Sequence, residues 1–426
     1  MTKRSGWRSR SAWLAASLLV ACPVVLAASS EVEALPSYFA NIEKFLAPWT
    51  ANDRGIYFAD ISSTWGKSFL PHGPGGGYGA RYRVDIIDEQ LFVSKTHRAG
   101  CPESRIYFMQ AGLLKLLKEF PGTIPNVTFT LYCQDVPKIS KAKLPKSPDC
   151  PGTQCLPAMF SLCSSKSTLD IPWPCNSFFG WPETHIPEWK VIQKQIEEES
   201  TQIPWEQKQA AIFWRGRTKF GNPCCPSCGC NIRGELQSCQ REVGANGLDA
   251  VPITWDDKQN GRTHENKTLS SHCKSQAMLY LEGHSYSASL KYIMACGAVT
   301  LRLDSEEYWE FFGPSLQADE HYRLIHVKEK GKGALCGELA EQLAWIRENP
   351  GLAKTIATNG MNFIKNDLSE RNVLLYMKVM LQAYARLLKF TPEKAVAGQK
   401  PLTAEGLIEH AGSKQRAEYL RHVFDL

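Results

Sequence analysis

GHSYSASLKYIMACGAVTLRLDSEEYWEFFGP occupies residues 283–314. A polar, Ser-rich turn leads into a helical stretch whose apolar residues Leu290, Ile293 and Met294 fall on one face. The small residues Cys296, Gly297 and Ala298 break it, and the β-branched run from Val299 to Leu301 reads as a strand. An acidic, aromatic segment closes the stretch. Turn, helix, turn and strand form the unit of a Rossmann-like nucleotide-binding half, in which the helix N-terminus offers free N–H groups to a phosphate.

Working outward from that unit, the spacing predicts an α/β chain throughout. Tyr38 to Ala47 reads as an amphipathic helix, and His72 to Gly79 as a turn-rich loop. Tyr82 to Val93 reads as a strand pair, Ser104 to Phe120 as a helix, and Asn126 to Cys133 as a β-rich strand. Residues 140–190, rich in Pro, Cys and Trp, read as loops pinned by disulfides, followed by a helix from Glu188 to Thr201. After Pro204-Trp205 come a strand at Ala210 to Trp214 and a helix expected from Lys274 to Glu282. Helices over Ala334 to Glu348, Leu352 to Asp367 and Glu370 to Leu388 follow. The domains expected are thus 35–204 and 205–388, with a polar helical tail at 389–426.

The totals exclude some classes. The 426 residues are enough for two domains with cores of their own. With 43% hydrophobic and 22% charged residues, the chain has the composition of a folded globular protein. A net charge of +6 is mildly basic, and the Lys and Arg are scattered rather than striped with aromatics, which argues against nucleic-acid binding. The start, MTKRSGWRSR, carries Lys3, Arg4, Arg8 and Arg10 and no acid, and SAWLAASLLVACPVVLAA follows it. Residues 1–28 therefore read as a signal peptide or a type II signal-anchor, the apolar run being short against the ~20 residues of a spanning helix. Either outcome places the folded part in the lumen of the endoplasmic reticulum or Golgi. Fifteen cysteines, less Cys22 in that segment, leave fourteen, which suits pairing in an oxidising compartment. Two glycosylation sequons, at Asn126 and Asn266, agree with it.

The pattern Gly283-x3-Ser287-x3-Lys291-x4-Cys296-Gly297, followed by Tyr308-Trp-Glu-Phe-Phe-x-Pro314, resembles glycosyltransferase family 90. That family spans Rumi-type protein O-glucosyltransferases, KDEL-motif-containing transferases and fungal capsule-associated xylosyltransferases. The resemblance covers about Tyr38 to Leu388, with Gly360 to Leu368 as a further strong piece. It implies a GT-B arrangement of two Rossmann-like domains facing a central cleft. It also implies inverting transfer of glucose or xylose from a UDP-sugar to a hydroxyl of a protein Ser or a glycan.

Such transfer needs a base at the acceptor and positive groups around the departing diphosphate. Asp135, in Gln134-Asp-Val-Pro-Lys138, stands at the carboxyl end of a strand, where ligands gather in open α/β sheets. An Asp opening a turn before proline would read the same way; the resemblance implies that Asp135 is the catalytic base. Trp214-Arg215-Gly216-Arg217-Thr218 puts two guanidinium groups, suited to phosphate oxygens, at the end of another strand. By the same resemblance Arg217 stands where relatives carry Ser in Arg-Gly-Ser, and Arg233 matches a further donor-binding Arg.

Gly283, Ser285, Ser287, Ser289 and Lys291 form the expected phosphate turn, and Glu310 the acidic residue near the donor's ribose or sugar. Ser285 to Ser289 also suit helix capping, and Trp309, Phe311 and Phe312 suit a core. Relatives carry Arg where this chain has Ser289, which raises the alternative of a weakened or inactive sugar- or nucleotide-binding protein of the same fold. The chain has no Asp-x-Asp to hold a divalent ion, so metal-independent action without a cofactor is expected. The run Cys224-Cys-Pro-Ser-Cys-Gly-Cys230, with Cys239, admits a zinc module, although disulfides within an insertion read more simply in an oxidising lumen.

Overall fold

The computed structural model describes residues 35–65, 81–96, 101, 104–218, 231–244, 247–254, 269, 272–327 and 333–426. The expected signal segment, the 72–79 loop, Asn266 and the 224–230 cysteine cluster lie outside the described residues.

The chain opens with α1 (Asn41–Thr50) and α2 (Phe58–Ser62). Alternating apolar residues then make β1 (Arg81–Ile87) and β2 (Gln90–Lys95) a hairpin with Ile87 opposite Gln90. Asp88 and Glu89 turn it at φ 48° and 61°, the positive values a tight two-residue turn demands. Next come α3 (Arg105–Glu119), β3 (Val127–Tyr132), β4 (Met159–Ser161), β5 (Ser164–Ser165), β6 (Ile171–Pro172) and α4 (Trp189–Gln202). The first sheet runs β2-β1-β3-β4-β6; it is antiparallel across β2, β1 and β3, and parallel from β3 to β6. Every residue of β3 is buried, and its two threonines are satisfied there: Thr128 donates to Asp85 Oδ1 (2.6 Å), and Trp65 donates to Thr130 Oγ1 (2.8 Å).

The second half contains β7 (Gln209–Gly216), α5 (Ile232–Val243), β8 (Leu248–Pro252), β9 (Ser275–Leu279), α6 (Leu290–Ala295), β10 (Val299–Leu303), β11 (Tyr308–Trp309), β12 (Arg323–Ile325), α7 (Ala334–Glu348) and α8 (Pro350–Asn362). Its sheet is wholly parallel in the order β12-β10-β9-β7-β8, a doubly wound topology whose order reverses between β7 and β9. The core between this sheet and α5 and α7 is aliphatic: Ile212, Leu236, Leu248, Leu279, Val299, Leu301, Leu339 and Leu343 are all buried. Each such side chain contributes roughly 1.5–3 kcal/mol on burial.

One expectation is corrected here. Residues 274–282 contain the central strand β9 and no helix. Buried on both faces, Ala277–Leu281 is a short apolar run without period-two alternation, and such a run does not distinguish strand from helix.

After the single π-turn Phe363–Asp367, α9 (Glu370–Ala385) returns to the first half and packs on α3. The end of the chain forms α10 (Ala404–Glu409) and α11 (Lys414–Phe424), which also pack on α3 and bury Leu407, Leu420 and Phe424. The two sheets are tied together directly. β11 pairs antiparallel with β5, Asn41 Nδ2 donates to Ser315 Oγ (2.9 Å), and Trp189 Nε1 donates to the Leu368 carbonyl (2.7 Å). Disulfides join Cys101 to Cys133, Cys150 to Cys155, Cys239 to Cys336 and Cys273 to Cys296, while Cys163 and Cys175 are buried free thiols. Among the described residues no helix is long and apolar enough to cross a membrane.

Candidate active site

A cavity of about 640 Å³ lies between the two halves, at the carboxyl ends of β7 and β9. The reversal of strand order splays the loops apart there, which is why open α/β sheets place ligands at that point. The size suits a small-molecule ligand.

On the first-half wall, the carboxyl end of β3 delivers Asp135, whose side chain is 39% exposed. Arg105, the first residue of α3, donates to Asp135 Oδ1 (2.6 Å) and to the Cys133 carbonyl (3.3 Å), and lies 5.8 Å from the Trp181 ring centre. The Asp135 carbonyl is held from two sides, by Cys163 Sγ (3.0 Å) and by Ser285 Oγ of the opposite half (2.7 Å). Sequence reasoning missed Arg105. A faint signal existed: a cation in the first turn of a helix is disfavoured by the dipole, so it calls for an acidic partner.

On the second-half wall, Arg215 pairs with Asp249 (2.8 Å) and lies 4.2 Å from the Phe213 ring centre, so it cross-links β7 to β8 while facing the cavity. Gly216 permits a close approach, since a Cβ there would sit 2.6 Å from the Trp214 indole. Arg217 lines the cavity beside it. Arg233, 8% exposed, reaches across from α5. Its Nε donates to the Glu282 carbonyl (2.8 Å), one Nη to Leu281 (2.6 Å) and the other to Arg217 (3.3 Å). Burial pulls its guanidinium down to about 10, because the charge has lost water and gained only carbonyl dipoles as hydrogen-bond partners.

The 283–291 turn divides between wall and support. Gly283, Ser287 and Ser289 line the cavity, and the two hydroxyls bond each other (2.9 Å). Ser285 is buried, its hydroxyl engaged with Asp135. Lys291 and Glu310 lie behind the wall. Lys291, fully buried, donates to Ser177 Oγ (2.6 Å) and to the Ala288 carbonyl (3.3 Å), and its Nζ lies 4.4 Å from the ring centres of both Phe178 and Tyr292. It thereby braces the Cys175–Ser177 segment, which itself lines the cavity. Glu310 is 3% exposed: Oε1 accepts from Cys175 Sγ (3.7 Å) and Oε2 has no partner. Burial pushes this carboxyl up to about 7 against the pull of Lys291. The cavity therefore gathers Asp135, Arg215, Gly216, Arg217, Arg233, Gly283, Ser287 and Ser289 from the sequence-predicted set, while Ser285, Lys291 and Glu310 act on its walls from behind.

Two groups among the described residues have the composition of metal ligands: Asp60 with Cys150 and Cys155, and Glu235 with Cys239 and Cys336. In each the cysteines form a disulfide with one another, so neither supplies a thiolate. Cys239, considered as a zinc ligand with the 224–230 cluster, is thereby engaged.

The family model described as Glycosyl transferase family 90 matches residues 30–422. The O-glucosyltransferase rumi of Drosophila pseudoobscura pseudoobscura is 25% identical over 321 residues, covering 74% of this chain and 71% of that protein. Protein O-glucosyltransferase 1 of Homo sapiens is 24% identical over 292 residues, covering 66% of this chain and 67% of its own. A solved structure, Anabaena Alr3699/HepE in complex with UDP, overlaps 47% of this chain and 57% of its own at 11% identity, with a TM-score of 0.28.

Proposed function

Because the chain belongs to glycosyl transferase family 90, we propose that it moves glucose or xylose from a UDP-sugar to a serine hydroxyl of a protein, with inversion at the anomeric carbon. One observation carries the reading: a carboxylate, Asp135, and two guanidinium groups, Arg217 and Arg233, line opposite walls of a single cavity. The protein acceptor is supported by relatives named O-glucosyltransferase rumi and protein O-glucosyltransferase 1; a glycan acceptor makes the same demand on the base.

In the proposed step the acceptor hydroxyl attacks the anomeric carbon from the first-half side and gives its proton to Asp135. Arg105 holds Oδ1, so the other oxygen takes the proton. The bond to the diphosphate breaks on the opposite face, and a single displacement inverts the centre, as in inverting hydrolases. Arg233 supplies the charge that the leaving diphosphate needs. With carbonyls as its hydrogen-bond partners and little water, its field is spent on the ligand rather than on solvent. Arg217 and the Ser287–Ser289 hydroxyls are proposed to add donors, and Arg105 and Arg217 to offset the arginine that Ser289 replaces. This cationic wall supports transfer without a divalent ion. The four disulfides among the described residues support folding in the secretory lumen.

The test is UDP release and sugar transfer from radiolabelled UDP-glucose and UDP-xylose by the wild type and Asp135→Asn. Transfer is expected to fall by about 10²–10⁴-fold, the usual contribution of a positioned base, with UDP still raising the melting temperature of the variant. Equal turnover in the variant removes Asp135 from the mechanism. UDP binding without turnover in the wild type would favour the alternative of an inactive sugar-nucleotide binder.

A further inference from the structure

Immediately beyond Asp135 the chain becomes basic, in a way the transfer chemistry does not use. Residues 138–146 carry Lys138, Lys141, Lys143 and Lys146, and Lys166 lies alongside, its carbonyl accepting from Lys141 Nζ (2.7 Å). Lys141, Lys143, Lys146 and Lys166 are exposed and Lys138 is half-buried. Among the described residues none of the five makes an ion pair. The nearby acids offset them only in part, since none of those described pairs with them and only Asp149 and Glu307 are exposed. Asp170 is buried and accepts from the Lys138 and Ile139 amides and from Ser161, Asp149 lies 3.4 Å from Ser147, and Glu307 accepts from Ser167 at 3.4 Å.

The lysines stand on a braced platform. Ser140 bridges Thr168, Lys141 N donates to the Ser167 carbonyl (2.9 Å), Leu169 N donates to Ile139 (2.8 Å), and Cys150–Cys155 closes the outer loop. Lys141 and Lys143 belong to the turn Ser140–Lys143, which Lys143 N closes by donating to the Ser140 carbonyl (3.2 Å). Lys138 lies three residues after Asp135, and Lys166 three residues after Cys163, whose thiol donates to the Asp135 carbonyl. Three residues span at most ~10 Å, within the screening length of water at modest salt.

We propose that this lysine platform is the docking surface for an acidic acceptor polypeptide, whose Asp or Glu side chains flank the serine presented to Asp135. The inference rests on the transferase reading for the serine, but not for the docking. Like charges crowded without partners raise the local potential, and an oppositely charged segment relieves it while orienting the hydroxyl over the base.

The test uses fluorescence anisotropy of labelled serine peptides whose flanks carry Asp/Glu or their Asn/Gln isosteres. Wild-type protein is expected to bind the acidic peptide about tenfold more tightly than the amide peptide. That preference is lost in Lys141→Glu/Lys143→Glu/Lys166→Glu, kept in the corresponding triple Arg variant, and reduced as salt rises from about 0.05 to about 0.5 M. The melting-temperature shift with UDP stays unchanged in both triples. In transfer assays the Glu triple raises KM for the acidic peptide and leaves kcat unchanged. Equal binding of the two peptides, a preference that survives charge reversal, or displacement of the acidic peptide by a hexuronate oligosaccharide or by phosphatidylserine vesicles at lower charge concentration overturns the proposal. A protein that docks the peptide with this preference yet never turns over UDP-sugar would overturn the transferase reading and leave the docking surface standing.

Discussion

Arg233 shows how a single residue acquires a role from its surroundings. On the page of sequence it is one basic residue after a cysteine-rich insert; in the fold it is 8% exposed, bonded to three carbonyls, and facing the cavity. Replacing it by Met is expected to raise KM for the UDP-sugar by about 10–100-fold, the loss of one or two charge-assisted bonds, and initial-rate kinetics at saturating acceptor would show it. An unchanged KM would place the diphosphate elsewhere. Glu310 makes a different prediction. Burial raises its carboxyl from the ordinary 4.5 to about 7, so the folded state holds that proton more tightly than the unfolded chain. Its stabilisation is complete below pH 4.5 and is lost as pH rises through about 7. Melting temperatures of the wild type should therefore fall relative to Glu310→Gln between about pH 4.5 and 7, reflecting a stability difference on the order of 3 kcal/mol; parallel curves would contradict this. At this scale the place of Asp135 after a strand was legible in composition, while its role as base was what the resemblance implied. Arg105 was not, since its partner lies thirty residues on in sequence and meets it only through the packing of α3 on the sheet.

Among elements, α3 connects the base to the rest of the molecule. Its first residue holds Asp135, and its Gly112 lies under the Phe179 ring, so any Cβ there collides with the turn that carries Asn176 and Ser177 into the cavity. Gly112→Ala should cost about 1–3 kcal/mol through this overpacking, seen as a lowered melting temperature, and should depress transfer with it. Full stability in the variant would mean that the turn moves freely. The hairpin β1–β2, the helices at 334–348 and 370–385, and the helix–break–strand of 290–303 followed from periodicity, because each has one wet face or a sharp small-residue break. β9 did not. A central strand covered on both sides has no alternation to read, and length was its only signal.

For the molecule as a whole, the joining of the halves matters more than either sheet. The β5–β11 pairing, the Ser285–Asp135 bond and the Lys291–Ser177 bond cross the cleft, and α9 carries the chain back onto the first half. The Cys239–Cys336 disulfide closes a separation of 97 residues within the second half. Replacing both cysteines by Ala should lower stability by about 2–5 kcal/mol, the range for removal of a native disulfide, measurable as a shift in denaturant midpoint; no shift would mean that the unfolded chain is not restrained by it. Composition, strand-end motifs and helical spacing were enough to read an α/β chain with a Rossmann-like second half, because these depend on short-range pattern, while the roles of the candidate site residues were what the family resemblance implied. Which arginine touches Asp135, why Lys291 and Glu310 stand behind the wall, and how Lys166 joins the lysines of 138–146 depended on contacts between residues farther apart in sequence. Those are chosen by side-chain volume and burial, which only the folded chain resolves.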